Sequence, residues 1–141
     1  MRKLSLALIL LFVSCGKLNE LPTDPGAGGG DPIDQTATFT RVQNEIFTPT
    51  CGAIGCHDPL GQQQQLVLTP GRAYANIVGR ASTETPSLLI IAPSDPANSY
   101  LYRKVTGAGI TGDRMPQGGP YLTDAQLKLI RDWIRRGAPN D

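Results

Sequence analysis

Histidine and methionine are scarce in this 141-residue chain, which has one histidine, His57, and two methionines, Met1 and Met115. A metal centre with two histidine ligands from this chain is therefore excluded. Positive and negative side chains are nearly balanced, with 13 Lys and Arg residues and 12 Asp and Glu residues. No basic run is longer than a pair. A nucleic-acid-binding surface normally shows clustered basic side chains, so we expect no nucleic-acid partner.

Long hydrophobic runs are absent outside the N-terminus, where Leu4–Val13 is broken only by Ser5. This run is too short to cross a bilayer as a helix and has the length of the apolar region of a signal peptide. The basic pair Arg2–Lys3 precedes it, and a small residue followed by Cys15 closes it. We therefore predict that residues 1–14 are a signal peptide that exports the chain.

The segment Leu11–Gly16 resembles a bacterial lipoprotein signal. The resemblance implies that the thiol of Cys15 takes a diacylglycerol and becomes the mature N-terminus, and several acyl chains give stable anchoring to a membrane. It also implies a position in the bacterial cell envelope facing the periplasm. The outer membrane is favoured because Gly16, rather than aspartate, follows Cys15. The alternative is an ordinary cleaved signal that is discarded together with Cys15.

Residues 15–36 contain three prolines, a glycine-rich run at 26–30 and no apolar periodicity. This composition is typical of a flexible tether, here between a membrane and a folded domain at residues 37–141. Residues 37–141 have a length that is common for a single domain.

Apolar residues at helical spacing predict helices in the folded segment. We expect four of them: about Phe39–Phe47 with Pro49 ending it, a short one from Pro70 or Gly71, one that follows Ser94-Asp95-Pro96 and stops at Gly107, and one that Thr123 and Gln126 begin with a capping box. The one plausible strand, Leu66–Leu68, is very short. The sequence therefore predicts an all-α domain of three to four short helices with long Gly/Pro-rich loops.

The segment Cys51–His57 has two cysteines separated by four residues and a histidine directly after the second. Covalent haem attachment needs two thiols that meet the two vinyl groups and an imidazole held beside the iron. The usual motif has two residues between the cysteines. We expect Gly52 and Gly55 to let the two additional residues loop out, since glycine accepts backbone angles that other residues avoid. If a single thioether forms, Cys56 is the expected attachment point because it adjoins His57.

Met115 is the one methionine left after a signal peptide containing Met1 is removed. Pro116 follows it and restricts Met115 to extended backbone angles, which can hold its thioether in one direction. A thioether is a soft, neutral ligand, and His/Met ligation of haem raises the reduction potential. We therefore predict that His57 and Met115 are the two axial ligands of one haem iron.

From about residue 39 to residue 138 the chain resembles a small bacterial cytochrome c of the single-haem type. The resemblance rests on an N-terminal helix, Cys51…Cys56-His57, Met115-Pro116, and a C-terminal helix that ends Trp133-Ile134-Arg135-Arg136-Gly137-Ala138. It implies a small cytochrome c-like domain wrapped around one covalent haem c, with the first and last helices crossing at one edge of the pocket. It also implies that the carbonyl of Pro70 orients the imidazole of His57.

The same resemblance implies a function in electron transfer at the membrane surface of the periplasm, with redox proteins as partners, and no catalytic reaction. Three alternatives remain open. Cys51 and Cys56 of an exported protein can form a structural disulfide. Both cysteines and His57 can bind zinc, although structural zinc normally takes four ligands. A haem-based redox enzyme, or a subunit of a larger oxidoreductase, would need an open iron position, which Met115 would fill.

Overall fold

The computed structural model of the protein describes residues 31–141. The predicted signal peptide, Cys15 and the predicted tether up to residue 30 lie outside the described residues. No helix within residues 31–141 has the length and apolar character needed to cross a membrane.

The first helix begins after Thr38, whose side chain accepts a hydrogen bond from the Arg41 N–H at 3.2 Å. Helix α1 spans Phe39–Val42 and continues without a break as a π-helical segment, Gln43–Cys51. The helix therefore ends on the first cysteine of the predicted attachment segment.

The prediction that Pro49 ends this helix near Phe47 is wrong. Proline has no N–H with which to continue an α-helical ladder. The segment continues with the wider turns of a π-helix, in which residues five apart are bonded. The N–H of Gly52, for example, donates to the Phe47 carbonyl at 2.7 Å. These wider turns include Pro49 and carry the backbone on to Cys51.

Two short helices occupy the middle of the chain. Helix α2 spans Ala73–Ile77 and helix α3 spans Tyr100–Thr106. The start of α3 is later than predicted because Asp95 caps a separate turn, where its carboxylate accepts from the Asn98 N–H at 3.1 Å. Gly107, with φ of 85°, ends α3 as predicted.

The last helix, α4, spans Asp124–Arg135 and has the predicted capping box. The Thr123 hydroxyl accepts from the Gln126 N–H at 3.3 Å, and the Gln126 side chain accepts from the Thr123 N–H at 3.0 Å. The inner face of α4 is fully buried at Trp133, whose indole N–H donates to the Pro139 carbonyl at 2.9 Å.

Aromatic rings hold the first and last helices together. The ring centroid of Phe39 lies 5.5 Å from that of Trp133 and 5.1 Å from that of Tyr74. Phe47 lies in the π-helical segment that follows α1. Its ring packs edge to face against that of Phe39, with 6.4 Å between the two ring centroids. Helices α1, α2, α3 and α4 all contribute to the core, α3 through Leu101, Tyr102 and Val105. Phe47 belongs to this core and also lines a cavity beside it.

Regular structure within residues 31–141 is helical. The β-type pairing in these residues is limited to isolated bridges, such as the one between Val78 and Ile91. The predicted strand at Leu66–Leu68 is wrong: Leu66 is extended, but the segment joins no strand in the described residues. The all-α fold class is confirmed, and most of the loops between α1 and α4 are irregular.

Candidate functional site

A cavity of about 520 Å³ lies between the segment after α1, helix α3 and the loop before α4. Cys51, Cys56, His57 and Met115 all line it. One part of its wall is apolar, formed by Phe47, Leu66, Leu68, Ile90, Leu101 and Val105. The volume and the mixture of an apolar wall with a few polar groups are typical of a cofactor site.

His57 is held by three hydrogen bonds. Its N–H donates to the Cys51 carbonyl at 3.2 Å, and its own carbonyl accepts from the Leu68 N–H at 2.7 Å. The ring Nδ1 lies 3.1 Å from the Gln63 carbonyl. The tautomer with its proton on Nδ1 donates to this carbonyl and leaves Nε2 able to bind a metal.

The surroundings of His57 favour a neutral imidazole, the form that binds metals. Burial lowers the pKa of His57 below its ordinary value, while the carbonyl groups of Gln63 and Leu66 oppose that change. More distant charges also act on this pKa, which Glu84 raises and Lys104 lowers.

The carbonyl that meets Nδ1 of His57 belongs to Gln63, in the 3-10 turn Gln63–Gln65, and not to Pro70. Pro70 lies at a separate, smaller cavity beside Phe39. The expected role of Pro70 is therefore corrected. No side-chain pattern points to a backbone carbonyl, so the run of glutamines gave no signal for this contact.

The two cysteines differ in their surroundings. Both are free thiols, Cys51 half-buried against the core and Cys56 exposed. Burial, and then the nearby Cys56, raise the pKa of Cys51 to about 12. Because a thiolate is the reactive form of cysteine, we expect the Cys51 thiol to react slowly with oxidants and electrophiles near neutral pH.

Asp58, which the sequence gave no reason to single out, organises the loop around the second cysteine. This carboxylate is almost fully buried and accepts from the N–H groups of Gly55 at 3.1 Å and Gly61 at 2.6 Å. A Cβ at Gly61 would lie 2.5 Å from the carbonyl carbon of Gly55. The loop is thus closed tightly, and Ile54, one of the two additional residues of the motif, is 90% exposed.

Met115 is fastened to the end of helix α3. Its N–H donates to the Lys104 carbonyl at 2.9 Å. The neighbouring Arg114 donates from Nε to the Val105 carbonyl at 2.9 Å, and its guanidinium lies 4.2 Å from the ring centroid of Tyr121. The methionine side chain packs partly against the core.

Opposite charges meet on the cavity wall at Glu84 and Lys104, with Nζ 3.1 Å from the carboxylate. The ammonium group also donates to the Thr111 carbonyl at 3.0 Å. Within residues 31–141, no group of three or more His, Cys, Asp and Glu side chains is arranged to hold a metal ion.

No protein-family model, curated protein or solved structure matches this chain.

Proposed function

We propose that this protein is an electron carrier with one covalently bound haem c, attached through Cys51 and Cys56 and ligated by His57 and Met115. One observation carries the proposal: the sole histidine and the sole methionine of the described residues line one cavity together with both thiols. The haem supplies an iron that gains and loses one electron. The fold that goes with this function is a small cytochrome c-like domain, which the packing of α1 against α4 supports.

The residues have separate tasks in this proposal. Cys51 and Cys56 would hold the haem through thioether bonds, each thiol adding its sulfur and its hydrogen across one vinyl C=C bond so that no atom is lost. The Gln63 carbonyl fixes the ring of His57, and such contacts to the outer nitrogen orient a ligand and tune its basicity. Met115 would bind the iron together with His57, and two protein ligands of this kind suit an electron carrier. The apolar wall excludes water.

The cellular setting is part of the same proposal. A lipid on Cys15 anchors the carrier in the cell envelope facing the periplasm, where it meets redox partner proteins. Intact mass of the full-length chain, with Cys15→Ser as the matched control, tests the anchor. We expect a lipidated N-terminus for the natural chain alone, and an unmodified Cys15 would contradict the anchor without affecting the haem site.

The haem proposal is tested by producing the domain in a host with and without cytochrome c maturation machinery. We expect a pyridine haemochrome spectrum, and a mass increased by one haem, only with the machinery. The haem should stay with the protein during acid–acetone extraction. Haem that is extracted, or no haem at all, would reject the proposal. A haem-free protein two hydrogens lighter than its sequence would instead support the alternative of a Cys51–Cys56 disulfide.

A further inference from the structure

The ion pair between Glu84 and Lys104 lies inside the candidate haem cavity. Lys104 is 8% exposed, and both side chains line the cavity wall. The lysine Nζ is held on two sides, by the Glu84 carboxylate at 3.1 Å and by the Thr111 carbonyl at 3.0 Å. Thr111 lies in the loop that carries Met115, and the Lys104 carbonyl accepts from the Met115 N–H at 2.9 Å, so the charged pair adjoins the predicted second iron ligand.

This pair differs from the surface pairs of the protein. Arg41 and Glu45 meet at 2.7 Å, but both side chains are nearly half exposed and neither lines the cavity. An exposed pair is screened by water and salt and has little effect at a distance. Charges in a poorly solvated interior act more strongly on their neighbours. Removing two charges from water is costly, so a pair of this kind is uncommon in an interior.

We propose that Glu84 and Lys104 set the reduction potential of the haem as opposed charges whose effects largely cancel in the natural protein. This inference rests on the proposed function. Reduction adds one negative charge to the iron centre, so a neighbouring cation favours the reduced form and a neighbouring anion favours the oxidised form. If one of the two charges is removed, the effect of the other charge on the reduction potential is no longer cancelled.

The test measures the midpoint potential of the haem-loaded domain, after mass spectrometry has shown that one haem is attached. Glu84→Gln should raise the potential and Lys104→Gln should lower it, each by up to about tenfold in the equilibrium constant of reduction, or ~59 mV for one electron. The double variant should lie between them. Glu84→Asp and Lys104→Arg keep the charges and should match the natural protein.

Surface variants provide the control for a general effect of charge. Glu45→Gln and Arg41→Gln remove the same charges from an exposed pair and should leave the potential unchanged at moderate salt. The Lys104→Gln variant retains the backbone carbonyl that holds Met115, and its sulfur–iron absorption shows whether ligation is intact. If ligation is lost there, Glu84→Gln alone decides the outcome.

Equal potentials in Glu84→Gln and the natural protein, or shifts of the same sign in both variants, would overturn the inference while leaving the haem carrier intact. Absence of attached haem would overturn both the proposed function and this inference. The two failures are therefore distinguished before any potential is measured.

Discussion

The backbone N–H of Met115 donates to the carbonyl of Lys104 at 2.9 Å, which joins the predicted sixth ligand to the last turn of α3. Arg114 adds a second link through its Nε, which donates to the Val105 carbonyl at 2.9 Å. A Cβ at Gly107 would lie 3.1 Å from the Arg114 side chain. The absence of a side chain at Gly107 therefore lets the loop that carries Met115 approach the end of α3 closely. The hydrogen bonds of Met115 and Arg114 to α3 together fix the position of the thioether.

Arg114→Gln should weaken ligation by Met115 without preventing haem attachment, because the variant loses the Nε donor to Val105. We expect the weak absorption near the red end of the spectrum, which reports sulfur–iron(III) ligation, to disappear at lower temperature or denaturant concentration. Tyr121→Phe is the matched control, since it keeps the ring under the guanidinium. If Arg114→Gln behaves like Tyr121→Phe, the second link does not hold the methionine.

Met115→Leu should abolish the same absorption and lower the reduction potential, because leucine keeps the apolar volume but has no sulfur to bind iron. Covalent attachment should persist, since it depends on the cysteines and not on Met115. The measurements are the visible spectrum of the oxidised protein and the midpoint potential. Persistence of the band in Met115→Leu, or its absence in the natural protein, would show that Met115 is not the ligand.

Cys51→Ala should retain covalent haem through one thioether, whereas Cys56→Ala should lose most of it. Cys56 is exposed and adjoins His57, while the half-buried Cys51 has its pKa raised to about 12 by burial and by the neighbouring Cys56. The yield of haem that resists acid–acetone extraction, with the pyridine haemochrome peak as the count of thioethers, measures the difference. A larger loss in Cys51→Ala would reverse the assignment and make Cys51 the principal attachment point.

Features that depend on neighbouring residues were predictable from the sequence. The capping box of Thr123 and Gln126 and the end of α3 at Gly107 are local, since each needs only residues within one helical turn. The wrong prediction that Pro49 ends the first helix has a related cause. Its missing N–H ends an α-helix, but the local rule does not include the wider turns that a π-helix uses.

Features of the site that depend on the path of the backbone were not predictable. The carbonyl that meets His57 comes from Gln63, and a backbone oxygen has no signature in residue type. Glu84 and Lys104 are 20 residues apart in a chain with many charged residues, so their meeting needed the tertiary structure. The ligand candidates His57 and Met115 could be proposed because the chain has one histidine and because its other methionine, Met1, lies in the predicted signal peptide.

Asp132 should make folding sensitive to acid. It is fully buried on α4, accepts from the Asp34 N–H at 3.2 Å, and is paired with Lys128. Burial alone would raise the pKa of Asp132, but the hydrogen bonds of Lys128 and Asp34, with the charges of Lys128 and Arg131, lower it below its ordinary value. A carboxyl with a lower pKa in the folded state stabilises that state above its unfolded pKa of ~4. This stabilisation is lost as the pH falls through the folded pKa.

Asp132→Asn should therefore reduce the free energy of unfolding at pH 7 by about 1–3 kcal/mol, because Lys128 and Arg131 lose the negative charge with which they pair. The difference from the natural protein should begin to shrink below pH ~4, where the carboxyl of the unfolded chain becomes protonated, and it should vanish as the pH falls through the lower folded pKa. Asp31→Asn is the control, because Asp31 pairs with Arg131 at the surface and should change stability little. Urea unfolding at several pH values measures both variants. A loss in Asp132→Asn that stays constant down to low pH would show that packing, and not the charge of Asp132, stabilises this end of α4.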